Sequence, residues 1–501
     1  MANHLINILK QIVVQKDIEL AQMDMLSKGE KHQILIDFNQ NEISHPNYKT
    51  VYEMFEEQVD KTPDNVAVVF EKEVLTYREL NQLANKVAYY LKQKGVVENT
   101  LVGVMTQRSI DMVVGIYGVL KAGAAYVPID PDYPEERIQY IINDSKINLV
   151  LTQRMLKERI INDEIDVIAI KDILIQKGLG TENLRLTYNP SRLMYLLYTS
   201  GSTGKPKGVK VRADAFTNLI NWFTSDKYKI TSQDNILLIA PMSFDLAQKN
   251  LYASLVKGGK LYLFTPGLYD YDQMLQIIRE QQITFVNCTP SAFRPLLEFD
   301  TDFESLKTLK CVYFGGEQLQ PAILRSWIKS GKCNANIINA YGPTECTAVT
   351  TSYKLNNGEI DKLITVPIGK PIHNAKAYVL DKDKKLLPVG VVGELYIGGI
   401  GVSAGYFNRP ELTKERFMHL NLEGDNPQLL YRTGDIVKWL PKGELEFLGR
   451  VDHQVKIRGF RIELEEIEAR LLNLNGVKEA VVSAKENEGE QYLCAYLVSD
   501  I

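Results

Sequence analysis

Leu193-Met194-Tyr195-Leu196-Leu197-Tyr198-Thr199-Ser200-Gly201-Ser202-Thr203-Gly204-Lys205-Pro206-Lys207-Gly208 joins an apolar run to a stretch of hydroxyls, glycines and lysines. The run predicts a buried strand that empties into a cationic, donor-rich loop. Glycines permit turns in which successive backbone N–H groups converge on one anion, and hydroxyls and ammonium groups add donors and charge. Such a loop suits a polyphosphate. It is not a Walker A loop, because that motif closes on Gly-Lys-Ser/Thr and here Pro206 follows Lys205. The bland alternative is a solvated Gly/Ser loop, against which the adjoining strand counts.

The chain has 501 residues, 45% of them hydrophobic, enough for roughly three domains of ordinary size. Its 58 basic and 62 acidic residues leave a net charge of −4, and no Lys/Arg block stands out, so no nucleic-acid partner is expected. No run of about 18 apolar residues is present, and the N-terminus lacks a signal-peptide pattern, so no membrane association is expected. A cytoplasmic monomer is the expectation. The five cysteines form no Cys-x-x-Cys pair and the six histidines are dispersed, which argues against a disulfide framework, a zinc site or a His-based triad.

Residues 1–46 read as a leader rather than a core, with helix-spaced Leu5, Ile8, Leu9 and Ile12. Beyond it, strand-like runs alternate with helical patterns: Val66 to Phe70, then Leu80, Leu83, Val87 and Leu91 at helical spacing up to Gly95. A strand over 101–105 precedes a helix capped by Ser109. Further strands are predicted at 236–240, 260–264, 283–287, 309–314 and 336–340. Alternation of this kind means parallel sheets covered on both faces, with ligands in the loops beyond the strands' carboxyl ends. Past Leu363 short strands with Gly-rich turns predict a small β-rich subdomain, and after 449–452 an acidic amphipathic helix and two strands predict a small α+β domain.

Several loops fall where such sheets place chemistry. In Asn339-Ala340-Tyr341-Gly342-Pro343-Thr344-Glu345 an aromatic could stack on a purine, a hydroxyl could meet a phosphate and a carboxylate could hold Mg²⁺. Tyr431-Arg432-Thr433-Gly434-Asp435 puts a carboxylate at a turn, placed to accept from ribose hydroxyls. Taken singly, Tyr341 reads equally as a core aromatic and Asp435 as an Asx-turn residue. Taken together they read as an ATP site.

With Leu75-Thr76-Tyr77-Arg78-Glu79-Leu80, Leu120-Lys121-Ala122-Gly123-Ala124-Ala125-Tyr126-Val127-Pro128-Ile129-Asp130, Phe244-Asp245, and the segments 393–406 and 449–468, these motifs span residues 75–468. In that order they resemble an adenylation domain of a nonribosomal peptide synthetase, of the superfamily that includes acyl-CoA ligases and firefly luciferase. The resemblance implies a large core domain over 47–451, with two doubly wound, mostly parallel sheets and the β-rich subdomain. A small mobile domain over 452–501, truncated, would follow, and 1–46 would be the tail after an upstream condensation domain. It implies an amino-acid carboxylate attacking the α-phosphate of ATP, then passage of the acyl group to the phosphopantetheine thiol of a carrier domain. Thr199, Ser200, Gly201, Ser202, Thr203, Gly204 and Lys207 would handle the pyrophosphate end, Thr344 and Gly342 the α-phosphate region, and Glu345 the Mg²⁺. Asn339 and Tyr341 would hold adenine, Asp435 the ribose, and Arg450 ribose or phosphate. Asp452 would be the hinge, with Gly459 lining the pantetheine path.

By the same resemblance, Asp245 beside Phe244 binds the α-ammonium, which favours an α-amino acid. The side-chain pocket would be lined by Leu246, Lys249, Asn287, Tyr313, Gly315, Ala340, Ala348 and Val349. Lys249 with Asn287 makes it polar, so a polar substrate side chain, acidic ones included, is expected unless Lys249 points to solvent or pairs with protein. The chain departs from the pattern in lacking the late Asn-Gly-Lys segment, which implies an excised fragment with weakened adenylate formation. Ala247 also stands where a hydroxyl is usual. Two other functions stay open: a stand-alone acyl- or aryl-CoA ligase, and a non-catalytic binding scaffold.

Overall fold

Two mostly parallel sheets face each other across a layer of helices in the computed structural model. It describes residues 2–19, 22–44, 49–160, 162–186, 189–201, 205–225, 230–264, 270–422, 426–452, 454–487 and 490–499. The first sheet has six strands in the order Asp166–Ala169, Leu149–Thr152, Leu101–Met105, Ala125–Ile129, Leu193–Thr199 and Lys207–Arg212, parallel except for the last pairing. The second has nine strands. Its parallel middle runs Asn336–Tyr341, Cys311–Phe314, Phe285–Cys288, Asn235–Leu238, Lys260–Leu263 and Val66–Phe70, with antiparallel strands at both edges. Strands predicted to begin at 283 and 309 start two residues later, at Phe285 and Cys311, because the preceding residues enter from turns.

The burial pattern shows why this sequence forms layers. Ala125–Ile129 is buried at every residue, as a strand covered on both faces must be. The helix Ile110–Lys121 is buried all round and touches strands of both sheets. Ser109 caps it, its hydroxyl accepting from Met112 N at 3.3 Å. The neighbouring helix Tyr77–Gln93 starts on a capping box in which Thr76 and Glu79 satisfy each other's backbone N–H groups. Lys121, though 2% exposed, ion-pairs with Glu56.

A five-stranded antiparallel sheet (Ala375–Leu380, Gly393–Gly399, Gln428–Trp439, Phe417–Leu420 and Leu445–Arg450) forms the β-rich subdomain. Packing reaches into the 1–46 segment, where a leader without a core was expected. Ile34 is fully buried, Phe38 sits 5.0 Å from the Trp439 ring, and Asn39 exchanges hydrogen bonds with the Ala377 backbone. After Arg450 the chain forms the hairpin Val455–Ile457/Phe460–Ile462, the helix Leu464–Leu472 and the ribbon Val477–Asn487/Glu490–Ser499.

Gly118 is where the two inter-sheet helices touch: a Cβ there would lie 2.5 Å from Val87 Cβ. Gly118→Val forces them apart, and overpacking of this kind destabilises by about 1–3 kcal/mol. A lower urea midpoint at unchanged slope is the expected result.

Candidate functional site

The carboxyl ends of strands from both sheets converge with the β-rich subdomain and the 455–462 hairpin on one cavity of about 110 Å³. Leu193–Thr199 delivers Thr199 and Ser200 to its wall, and the Thr199 hydroxyl is buried with no hydrogen-bond partner. The helix Asp245–Ala253 opens with Asp245 at its N-terminus, after Phe244. Asn336–Tyr341 ends at Gly342, where a Cβ would lie 2.8 Å from backbone atoms of Ala348, Val349 and Thr350, so only glycine lets the turn fold back so closely. The helical turn Thr344–Cys346 follows, then Thr347 and Ala348 with positive φ.

Asp435 was expected in a turn. It lies instead inside the long strand Gln428–Trp439, at an irregularity in its pairing where Gly434 adopts φ 78°. The bulge re-aims the carboxylate into the cavity. There Asp435 accepts a hydrogen bond from the Tyr341 hydroxyl and an ion-paired one from Arg450. Arg450 also donates from Nε to Asp452 Oδ1 at 2.6 Å, so these four residues form one network.

Most of the expected residues meet here. Thr199, Ser200, Gly342, Thr344, Asp435 and Arg450 line the cavity, as do Phe244, Asp245, Leu246, Lys249 and Gly315, with Ala340, Ala348, Val349 and Gly459 completing the wall. Asn287 stands behind this wall, donating from Nδ2 to Leu246 O at 2.8 Å. Tyr313 is fully buried against Phe223, 4.5 Å between rings. Asn339 turns its amide donor to Val366 O and Pro367 O at 3.3 and 2.9 Å, and the buried Tyr341 ring has Lys456 5.7 Å above it. Gly201 is buried beside the loop. Ser202, Thr203 and Gly204 lie outside the described residues.

Glu345 is fully buried and collects cations. Arg461 Nη1 donates to both of its oxygens at 3.1 and 2.8 Å, Lys207 Nζ is 3.7 Å away, and the Tyr406 hydroxyl donates at 2.8 Å. Burial alone would raise this carboxyl; the Arg461 and Lys207 charges hold it well below the usual range. Burial and the neighbouring Arg461 push Lys207 down to about 8. Mg²⁺ was expected at Glu345; in this structure the carboxylate is engaged by two cations, Arg461 and Lys207.

Arg461, Lys456, Gln454 and Tyr406 were missed in the sequence. A signal was present: Val455-Lys456-Ile457 and Phe460-Arg461-Ile462 alternate apolar and basic, and the hairpin register pairs Lys456 directly with Arg461. Both cations therefore share one face, turned to the site. Ser200 Oγ donates to Arg461 O at 2.7 Å, and Phe460 packs edge-on against Phe244 at 4.7 Å. Beyond Gly459, whose N–H donates to Glu317 Oε1 at 2.6 Å, a larger cleft of about 1130 Å³ opens between the core and the small domain.

Residues 55–407 match the family described as AMP-binding enzyme. Bacitracin synthase 1 of Bacillus licheniformis is 41% identical over 507 residues, covering 100% of this chain and 10% of that protein. This chain thus spans about a tenth of that relative's length. A four-domain nonribosomal peptide synthetase solved with AMP and glycine superposes with a TM-score of 0.80 at 30% identity, over 100% of this chain and 36% of its own. An artificially fused adenylation–PCP di-domain from Klebsiella oxytoca gives 0.82 at 25%, over 91% and 82%. No helix among the described residues is long and apolar enough to cross a membrane.

Glu345→Gln removes the anion between Arg461 and Lys207. Stranding a buried charge costs about 3–5 kcal/mol, so the hairpin is expected to leave its seat and its amides over 455–462 to exchange faster. Unchanged protection would contradict this. A second expectation concerns Lys249, pushed by burial from 10.5 down to about 8. Between those values the unfolded chain holds more protons than the folded one, so this group's contribution to stability rises with pH. Urea titrations at pH 8, 9 and 9.5 should show wild type gaining on Lys249→Met; parallel curves would exclude it.

Proposed function

Because the chain belongs to the AMP-binding enzyme family, as an adenylation domain of the nonribosomal peptide synthetase type, we propose that it activates an α-amino acid with ATP. A carboxylate oxygen of the amino acid forms a bond to the α-phosphorus, the α–β phosphoanhydride breaks, and pyrophosphate leaves. A carrier domain's phosphopantetheine thiol then attacks the acyl carbon, and AMP departs. The observation that carries this reading is Asp245 in one cavity with Thr199, Ser200 and Thr344: an anion for the substrate ammonium beside hydroxyls for phosphate oxygens.

Each residue's part follows from its chemistry. Burial raises Asp245 despite the Thr344 hydroxyl it accepts at 2.5 Å, so its ionised form needs a cation, and a substrate ammonium is one. The orphaned Thr199 hydroxyl and Lys207 flank in sequence the stretch that would grip the leaving pyrophosphate, where positioning and charge matter more than covalent chemistry. Gly459 separates the cavity from the large cleft, and a Cβ there would lie 2.5 Å from Thr289 Cγ2. That cleft would admit the pantetheine arm, with 452–501 as the mobile domain and Asp452 as its hinge. The side chain of the amino acid is polar in this reading, since Lys249 belongs to the cavity wall.

Asp245→Ala tests the assignment. Truncating one partner of a buried charge pair costs about 2–5 kcal/mol, so amino-acid affinity, measured by equilibrium dialysis with ATP present, should fall at least about thirtyfold. Undiminished affinity rules out Asp245 as the anchor. Nucleotide binding without amino-acid-dependent pyrophosphate exchange, even after a late Asn-Gly-Lys segment is appended, would favour a scaffold over an enzyme.

A further inference from the structure

Asp245 and Lys249 stand one turn apart on the same face of the helix Asp245–Ala253, and both reach the cavity. On an exposed helix an acid followed four residues later by a lysine closes on itself. Here each turns elsewhere: Asp245 Oδ2 accepts the Thr344 hydroxyl at 2.5 Å, and Lys249 Nζ donates to Leu246 O at 3.4 Å. That carbonyl already accepts from Asn287 Nδ2 at 2.8 Å, so the lysine's bond is a weak one. Its other neighbour is the Phe223 ring at 5.9 Å. Lys249 is 1% exposed and does not snorkel to solvent.

The Asp245 charge favours the ammonium form of Lys249, but no direct ion pair among the described residues joins the two, and a buried ammonium so weakly compensated is costly. The carboxylates lining the cavity are Asp245 and Asp435, and Asp435 is held by Arg450 and Tyr341. Elsewhere on the cavity wall, Gly315, Ala340, Ala348 and Val349 bring no charge. An anion bonded directly to Lys249 would have to arrive with the ligand. Resting on the amino-acid reading above, we propose that the substrate is an α-amino acid with a short acidic side chain, its ammonium on Asp245 and its side-chain carboxylate on Lys249. The i, i+4 spacing sets the two backbone positions about 6 Å apart along the helix axis, which keeps both side chains within reach of one small ligand. A basic side chain would meet Lys249 head-on, and an apolar one would leave it buried and unpaired. Space is tight beside it: a Cβ on Gly315 would lie 3.1 Å from Leu246 Cδ1, which disfavours aromatic side chains.

Equilibrium dialysis of wild type with ATP and, in turn, labelled aspartate, glutamate, asparagine, glutamine and leucine tests this. An acid should bind on the order of thirtyfold more tightly than its own amide. Lys249→Met should abolish or reverse that ratio, and Lys249→Arg should keep it. Amide or leucine bound as well as either acid, or an acid preference that survives in Lys249→Met, overturns the proposal. If Lys249→Met does not fold, the wild-type acid-to-amide ratio decides alone. Failure of all five while another of the twenty amino acids binds overturns this inference alone; failure of all twenty while ATP binds brings down the amino-acid reading, and this inference with it.

Discussion

The arrangement of the site depends on one buried carboxylate. Glu345 sits on a short helical turn at the end of the second sheet, with no solvent to share its charge. Left alone it would be protonated or would not be there. Arg461 and Lys207 supply the compensation, one from the small domain and one from the first sheet, with Tyr406 donating from beside the β-rich sheet. Every structural unit around the cavity thus has a residue on the same anion. The reciprocal constraint acts on the hairpin: Lys456 and Arg461 face each other across its two strands, and like charges so placed repel. Over the anions Glu345, Asp435 and Asp245 that repulsion becomes attraction. The hairpin is stable in this seat for the same reason that it is poorly built to stand alone.

Sheet topology determines which residues reach that seat. Parallel strands send their carboxyl ends to one edge, and the two facing sheets send theirs to the same cavity. Thr199, Asp245 and Gly342 are far apart in sequence and arrive together because each follows a strand. Asp435 follows none; it arrives through a bulge in an antiparallel strand, where Gly434 alone can take the required φ. Turn chemistry and bulge chemistry use the same residues, and that is why Tyr431 to Asp435 read as a turn.

Much of the fold was legible because its signals are local. Alternating strand and helix patterns, Ser109 as a cap and Gly95 beyond a helix are all properties of neighbouring residues, and the structure has them in place. The cavity wall was legible through the order of motifs, including Lys249, whose burial excludes the solvent alternative. What escaped is relational. Nothing in Phe460-Arg461-Ile462 says that its basic residue will lie against Glu345, 116 residues earlier in the chain. Nor does the 1–46 segment announce that Asn39 will pin itself to Ala377, since one asparagine in a polar stretch carries no periodicity.

Glu345 and Lys249 are two solutions to the same problem of a charge without water. Glu345 is satisfied from within, by Arg461 of the hairpin together with Lys207 and Tyr406 of the core. Lys249 has only a long hydrogen bond to Leu246 O, beside a carboxylate bonded to Thr344 instead. A fold that sets two cations on one buried anion has the means to neutralise another charge, and the Gly315, Ala340, Ala348 and Val349 wall supplies no anion to do it. The difference is in what each charge is for. Glu345 ties the hairpin to the core, and Lys249 stands in the wall of the cavity.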